Sequence, residues 1–177
     1  MLSIGFKNCA SLHDRRNAAS ATGRGDERAS MAKSTEQIAT ELADREAIRE
    51  LPLKYCDCVW RGDVEGIANL FAENGTFTMP GRKGDHTWSG RAELLKSYSD
   101  GLAALTPRPY IHNHVVDLKG GGRASGRCYV ELRDASNKMS WLGTGFYNDE
   151  YVKVGDEWKF QARRVQITHM ERPPKKA

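Results

Sequence analysis

The stretch Tyr110-Ile111-His112-Asn113-His114-Val115-Val116-Asp117-Leu118 decides the fold. Three more strand-like runs follow it: Arg123–Leu132, Met139–Val154 and Trp158–Thr168. The connections are Gly120-Gly121-Gly122, the loop from Asp134 to Asn137, and Gly155-Asp156. Runs rich in β-branched and aromatic residues, punctuated by Gly, Asn and Asp, read as strands and turns. Sequential strands on short turns form an antiparallel meander. Strict alternation would put Tyr110, His112, His114, Val116 and Leu118 on one face. A face that must be buried yet carries two imidazoles is either absorbing the cost of polarity or using it. Met139–Val154 is long for one strand, so a bend or bulge is expected near Gly143 or Gly145.

Upstream of these runs the periodicity changes. Ile38, Leu42, Ile48, Leu51, Tyr55 and Val59 recur every three to four residues or a multiple of that, which predicts a helix from about Thr35 to Trp60. Asp44 is placed to cap a break in it, and Pro52 should kink or divide it. Gly62 stops the helix and Asp63 caps the next, predicted over Val64–Ala72 with Ile67, Leu70 and Phe71 inward. Asn74-Gly75 signals a turn, and Thr76–Met79 a short strand ended by Pro80. Gly81–Thr87 reads as a polar, mobile loop. Ser89 caps a third helix, with Glu93 near the capping-box position, reaching about Ala104 before Pro107 and Pro109 break the chain. Helices gathered before a meander predict an α+β fold. The expected form is a cone-shaped roll, three N-terminal helices packed on a strongly curved antiparallel sheet. The interior of such a cone is a natural pocket.

The chain has 177 residues and a net charge of +4, which suits one domain with a proper core. No apolar run is long enough to span a bilayer, so no membrane partner is expected. No basic stripe interleaved with aromatics occurs, so nucleic acid is not an expected partner either. Residues 1–30 hold five basic and three acidic side chains, and so carry half of the net charge of +4. Residues 1–34 are expected to be a disordered basic extension, 35–169 the folded domain and 170–177 a flexible tail. No apolar run follows the early charges, against a secretory signal, and the acidic residues count against a transit peptide. Met31 is the expected natural start. Cys9, Cys56, Cys58 and Cys128 lack zinc-type spacing and read as reduced thiols of a cytoplasmic protein.

Several stretches resemble the SnoaL-like branch of the nuclear-transport-factor-2-like superfamily. Asp44–Leu51 with Tyr55, then Gly62–Phe77, resemble its first two helices and first strand. Gly145-Phe146-Tyr147-Asn148-Asp149 resembles its G-x-Y-x-D strand, and Trp158–Arg163 its last strand. The branch includes scytalone dehydratase, bile-acid 7α-dehydratase and a hexachlorocyclohexane dehydrochlorinase. The resemblance implies acid–base chemistry without a cofactor on a small hydrophobic substrate inside the cone. It also implies a homotrimer or homodimer. Its dehydratase-like members pair a histidine on the first long strand with an aspartate near the end of helix one. That aspartate aligns with Trp60 here, and the nearest acid is Asp57, about one helical turn earlier.

The candidate catalytic residues are therefore His112 or His114 as base, Asp57 or Asp149 as its support, and Tyr55, with Tyr147 beside it, as a hydrogen-bond donor. A neutral imidazole accepts a proton near neutrality, a carboxylate beside it fixes the tautomer, and a phenol stays protonated to donate. A His-x-His zinc site lacks an evident third ligand, so no metal and no cofactor are expected. Tyr147 and Asp149 either face the pocket or serve structure, Asp149 by pairing with Arg163 or Arg164. Arg163 or Arg164 would otherwise clamp an anionic group. Trp60, Trp141 and Phe146 are expected to line the core or pocket.

Overall fold

The structure is a computed structural model that describes residues 32–81, 84–104 and 106–171. The expected extension lies outside the described residues up to Met31, as does the tail from residue 172 onward. Helix α1 (Thr35–Arg61) opens with a capping box: Ser34 Oγ accepts from the Gln37 N–H, and Gln37 Oε1 accepts from the Ser34 N–H. It closes on Gly62, whose φ of 69° lies in the left-handed region that favours glycine. The helix runs on through Pro52, so of the two expected effects, a kink or a division, the division does not occur. Pro52 lacks the helical N–H, but its ring is fully buried, and core packing offsets the lost bond. Asp44 caps nothing. It sits inside the helix and accepts from Lys153 Nζ and Trp158 Nε1, both at 2.8 Å, tying α1 to the last two strands. Ile38 and Leu42 are exposed, so the apolar stripe reaches the core only from Ile48 onward.

Asp63 caps α2 (Val64–Asn69) by accepting from the Gly66 N–H at 2.7 Å. This helix is shorter than predicted, because Phe71 already opens strand β1 (Phe71–Gly81). Strand β2 (Gly84–Ser89) and helix α3 (Gly90–Ala104) follow, and the Ser89 N–H donates to Glu93 as expected. The meander comprises β3 (Pro107–Gly120), β4 (Arg123–Asp134), β5 (Ser140–Val154) and β6 (Glu157–Met170), with one 3₁₀ turn, Ala135–Asn137.

The six strands form one curved sheet in the order β2-β1-β6-β5-β4-β3, an α+β fold. Two expectations fail here. The polar stretch read as a loop supplies β2, which pairs antiparallel with β1 from Thr76↔Ser89 to Gly81↔Gly84. And β1 runs parallel to β6, so the sheet is mixed. The irregularity expected near Gly143 and Gly145 is present as register shifts on both sides of β5. A Cβ on Gly145 would lie 2.1 Å from the Gln166 carbonyl oxygen, so only glycine permits that strand approach. The helices pack on one face of the sheet. Ile48, Ile67, Leu94 and Phe160 are fully buried between the layers, each worth about 1.5–3 kcal/mol.

Candidate functional site

The site begins with a bulge in β3. Ile111 pairs with Val130 and His114 with Cys128, so His112 and Asn113 together face the single residue Tyr129. The extra residue breaks the alternation assumed for this strand. His114 turns inward with Val116, while His112 stays outward with Tyr110. The two imidazoles therefore do not share a face. His112 lines a shallow outer concavity of about 300 Å³ with Tyr110, Glu131, Arg133 and Met139.

Inside, a chain of polar contacts crosses the sheet from β3 to β6. His114 Nε2 lies 3.0 Å from Tyr151 Oη, and the Tyr151 hydroxyl donates to Asp149 Oδ2 at 3.0 Å. Asp149 Oδ1 is 3.4 Å from Arg163 Nε, an ion pair without hydrogen-bond geometry. Asp149 and Arg163 are direct cross-strand partners, 2% and 0% exposed. The Arg163 guanidinium lies 3.8, 4.3 and 4.4 Å from the ring centroids of Tyr147, Tyr55 and Phe160. Such contacts are strongest where water is excluded. Its Nη2 also approaches Cys128 Sγ at 3.8 Å. Among the described residues, His114 Nδ1, Arg163 Nη1 and Tyr98 Oη are buried without a hydrogen-bond partner.

Local sequence explains the assembly. Tyr147, Asp149 and Tyr151 alternate along β5 and so point the same way. A bulge across from Glu150–Tyr151 keeps both Phe160 and Arg163 of β6 facing inward. Gly126 lies between Val116 and Asp149 in the pairing. A Cβ there would sit 2.7 Å from the Val115 oxygen, 3.0 Å from His114 Nε2 and 3.1 Å from Tyr151 Cε2. The missing side chain is what lets histidine and tyrosine meet.

The environment shifts the titrating groups. Burial, then the charges of Arg163 and Arg49, lower His114 to about 4, so it is neutral at pH 7. Burial outweighs the attraction of Arg163 and the Tyr151 hydrogen bond, and pushes Asp149 up to about 6. Burial also raises the phenols of Tyr55, Tyr147 and Tyr151, which stay protonated. Burial works against the charge of Arg163, but Asp149 and the surrounding Tyr147, Cys128 and Tyr55 more than offset it.

The other candidates are elsewhere. Asp57 is exposed and accepts from Arg61 Nε at 2.9 Å, because its position on α1 points away from the sheet. Trp60 does not line the interior. Its indole N–H donates to the Pro109 carbonyl at 2.9 Å, and its ring meets Tyr110 edge-on. Phe146 lies on the outer face, against Tyr129 and under Arg127. Trp141 stacks on His169 near the end of the sheet. Arg164 is exposed and pairs with Asp85. Tyr55, Tyr147, Asp149, Arg163 and His114 are brought together. Tyr151, Gly126 and Tyr98 were not singled out from sequence. The Tyr-x-Asp-x-Tyr alternation of residues 147–151 carried the signal for Tyr151.

The profile of the SnoaL-like domain family matches residues 40–164. The chain belongs to this family. The SnoaL-like chain also resembles solved structures. A hexachlorocyclohexane dehydrochlorinase, LinA-type3 of Novosphingobium barchaimii LL02, is 17% identical, with 78% of this chain and 95% of that one covered and a TM-score of 0.67. A scytalone dehydratase-like protein of Novosphingobium aromaticivorans is 22% identical, covering 79% and 99%, with a TM-score of 0.64. A protein of the same species, assigned as the beta subunit of an aromatic-ring-hydroxylating dioxygenase, is 14% identical, covering 75% and 94%, also with a TM-score of 0.64. At these identities the likeness shows the fold. No curated protein sequence matches the chain.

Proposed function

We propose that this SnoaL-like protein is a cofactor-independent lyase of the dehydratase type, acting on a small, largely hydrophobic aromatic, steroid-like or polyketide-like molecule. His114 is the base. The observation that carries this is its Nδ1, buried and without a partner on the inner face of the sheet. Nδ1 takes a proton from a substrate carbon. The C–H electron pair becomes the new double bond, and the adjacent C–O bond breaks. A buried phenol, Tyr55 or Tyr147, protonates the departing oxygen, so that water leaves. The proton returns from the imidazolium to the phenol before the next turnover. Asp57 takes no part in this scheme, and Asp149 is the carboxylate that supports the imidazolium. The same reading makes the protein cytoplasmic and a homotrimer or homodimer.

The test starts with a thermal-shift screen of aromatic, steroid-like and terpenoid alcohols. A ligand at a hundred times its dissociation constant adds about 2.7 kcal/mol of stability. With a turned-over hit in hand, His114→Gln should lose about 10²-fold or more in kcat, and His112→Ala should not change it. An active His114→Gln refutes the assignment.

Two observations favour a second reading, a non-catalytic binding or oxygenase small-subunit-like module. The inner face at Arg163 is occupied by the rings of Tyr55, Tyr147 and Phe160, and the position expected to be acidic holds Trp60, bonded to Pro109. Recovery of the native protein in a stable complex with an oxygenase large subunit, with no turnover in the screen, would establish that role instead.

A further inference from the structure

We propose that Tyr151 and Asp149 are positioning residues that hold His114 in its Nε2–H tautomer, so that Nδ1 is the nitrogen presented to substrate. The inference deepens the reading of His114 as a base, and only its catalytic meaning rests on that reading. It follows from counting hydrogens. A phenol has one proton to give, and the Tyr151 hydroxyl donates it to Asp149 Oδ2 at 3.0 Å. An ionised carboxylate can only accept. The 3.0 Å contact between Tyr151 Oη and His114 Nε2 must then carry its hydrogen on the imidazole. Neutral imidazole has a single N–H, so Nδ1 is left with its lone pair, and Nδ1 is the ring atom that is buried and unpartnered. Arg163 fixes the far end of the relay, since its guanidinium faces Asp149 Oδ1 and offers only donors. Gly126 holds the near end open. A Cβ there would press on both His114 Nε2 and Tyr151 Cε2. When His114 takes a proton, Nε2–H stays in place and the carboxylate two hydrogen bonds away stabilises the cation.

The relay makes an unusual prediction for Asp149→Asn. Arg163 Nε, a donor, faces the Oδ1 position and will hold the amide oxygen there. The amide nitrogen then takes the Oδ2 position and donates to Tyr151, whose hydroxyl must turn its proton to His114 Nε2. The tautomer inverts to Nδ1–H, and the proposed basic nitrogen is blocked.

The experiment is long-range ¹H–¹⁵N NMR on ¹⁵N-histidine-labelled full-length protein without ligand at pH 8, where Asp149 is ionised and His114 neutral. The wild type should show His114 with a slowly exchanging Nε2–H and an unprotonated Nδ1. Asp149→Asn should show the nitrogen assignments exchanged. Should that variant fail to fold, Tyr151→Phe removes one hydroxyl and should lose the slow exchange of Nε2–H. An Nδ1–H tautomer in the wild type, or slow exchange unchanged in Tyr151→Phe, overturns the proposal. An unchanged tautomer in a folded Asp149→Asn does the same. These spectra need no substrate, so they separate the two ideas. An active His114→Gln with the expected spectra refutes the base and keeps the relay, whereas an inactive His114→Gln with an unaffected tautomer does the reverse.

Discussion

Replacing Arg163 with methionine tests the electrostatics of the inner face most directly. The side chain is fully buried, 3.4 Å from Asp149 Oδ1 and surrounded by three aromatic rings. At an effective dielectric of 20, unit charges at that separation attract by about 5 kcal/mol. Desolvation offsets much of this, which is why deleting a whole buried pair is often nearly neutral. Deleting one member is different, because Asp149 is left as an unpaired buried carboxylate. Such changes cost about 3–5 kcal/mol. Methionine has similar reach and fills the space between the rings, so the loss is mainly electrostatic.

The cost should depend on pH in a defined direction. Asp149 has a folded-state pKa of about 6 against a usual 3.8, and loss of Arg163 moves it further up. An acid whose folded pKa is raised binds protons more readily when folded, so acidification through that pKa stabilises the fold. His114 adds to the effect with the same sign. Its folded pKa of about 4 costs stability as pH falls below the unfolded value of 6.5, and removing Arg163 lessens that cost. The gap between wild type and Arg163→Met should therefore be largest at pH 8 and shrink towards pH 6. The slope is at most about 1.4 kcal/mol per pH unit for each proton, so about 2 kcal/mol of the loss should return. Urea unfolding at pH 8, 7 and 6, read as shifts in midpoint at constant m-value, measures this. The double variant Arg163→Met, Asp149→Asn should be more stable than Arg163→Met alone at pH 8 and recover less on acidification, because only the His114 contribution remains. A gap that stays constant or widens as pH falls would refute the buried pair as described.

Gly126→Ala should destabilise by about 1–3 kcal/mol, since the new methyl meets the Val115 oxygen at 2.7 Å; a neutral result in thermal unfolding would mean that the strand gives way more easily than its neighbours suggest. Asp44→Ala leaves the Trp158 indole N–H and the Lys153 ammonium without their shared acceptor. A loss of about 1–3 kcal/mol in urea unfolding is expected, and no change would show that water replaces the carboxylate without cost.

The helical stripe of α1 from Ile48 to Val59, the Asp63 cap and the glycine turns were readable because each is a local signal. Strand β2 was not. Gly84-Asp85-His86-Thr87-Trp88-Ser89 has no apolar alternation, and it is a strand only because β1 offers it an edge. The parallel pairing of β1 with β6 joins segments more than eighty residues apart, beyond any local pattern. The bulge at His112–Asn113 was hidden for another reason. The stretch from Tyr110 to Leu118 alternates acceptably in either register, and a one-residue slip exchanges its faces. Sequence could therefore nominate two histidines, but only the pairing with β4 shows that His114 is the one facing inward. Asp57 against Asp149 was a similar choice. Helical spacing left Asp57 undecided, whereas the β5 alternation already placed Asp149 on one face with Tyr147 and Gly145.

Trp60 narrows the chemistry that the proposed site can perform. Where the resemblance calls for an aspartate on α1, an indole faces the Pro109 carbonyl of β3. On the proposed reading, the carboxylate reaches the histidine from β5 instead, through the Tyr151 hydroxyl. A carboxylate held one hydroxyl away and already balanced by Arg163 stabilises an imidazolium less than one in direct contact. Burial, and then the charges of Arg163 and Arg49, hold the His114 pKa down at about 4. So weak a base removes a proton efficiently only when that proton is itself acidic, because transfer follows the difference in basicity between donor and acceptor. The substrate should then carry its departing hydrogen next to a carbonyl, or on a carbon whose anion an aromatic ring delocalises. Simple alcohols without such activation should bind without turnover, and β-hydroxy carbonyl compounds should be the first to react.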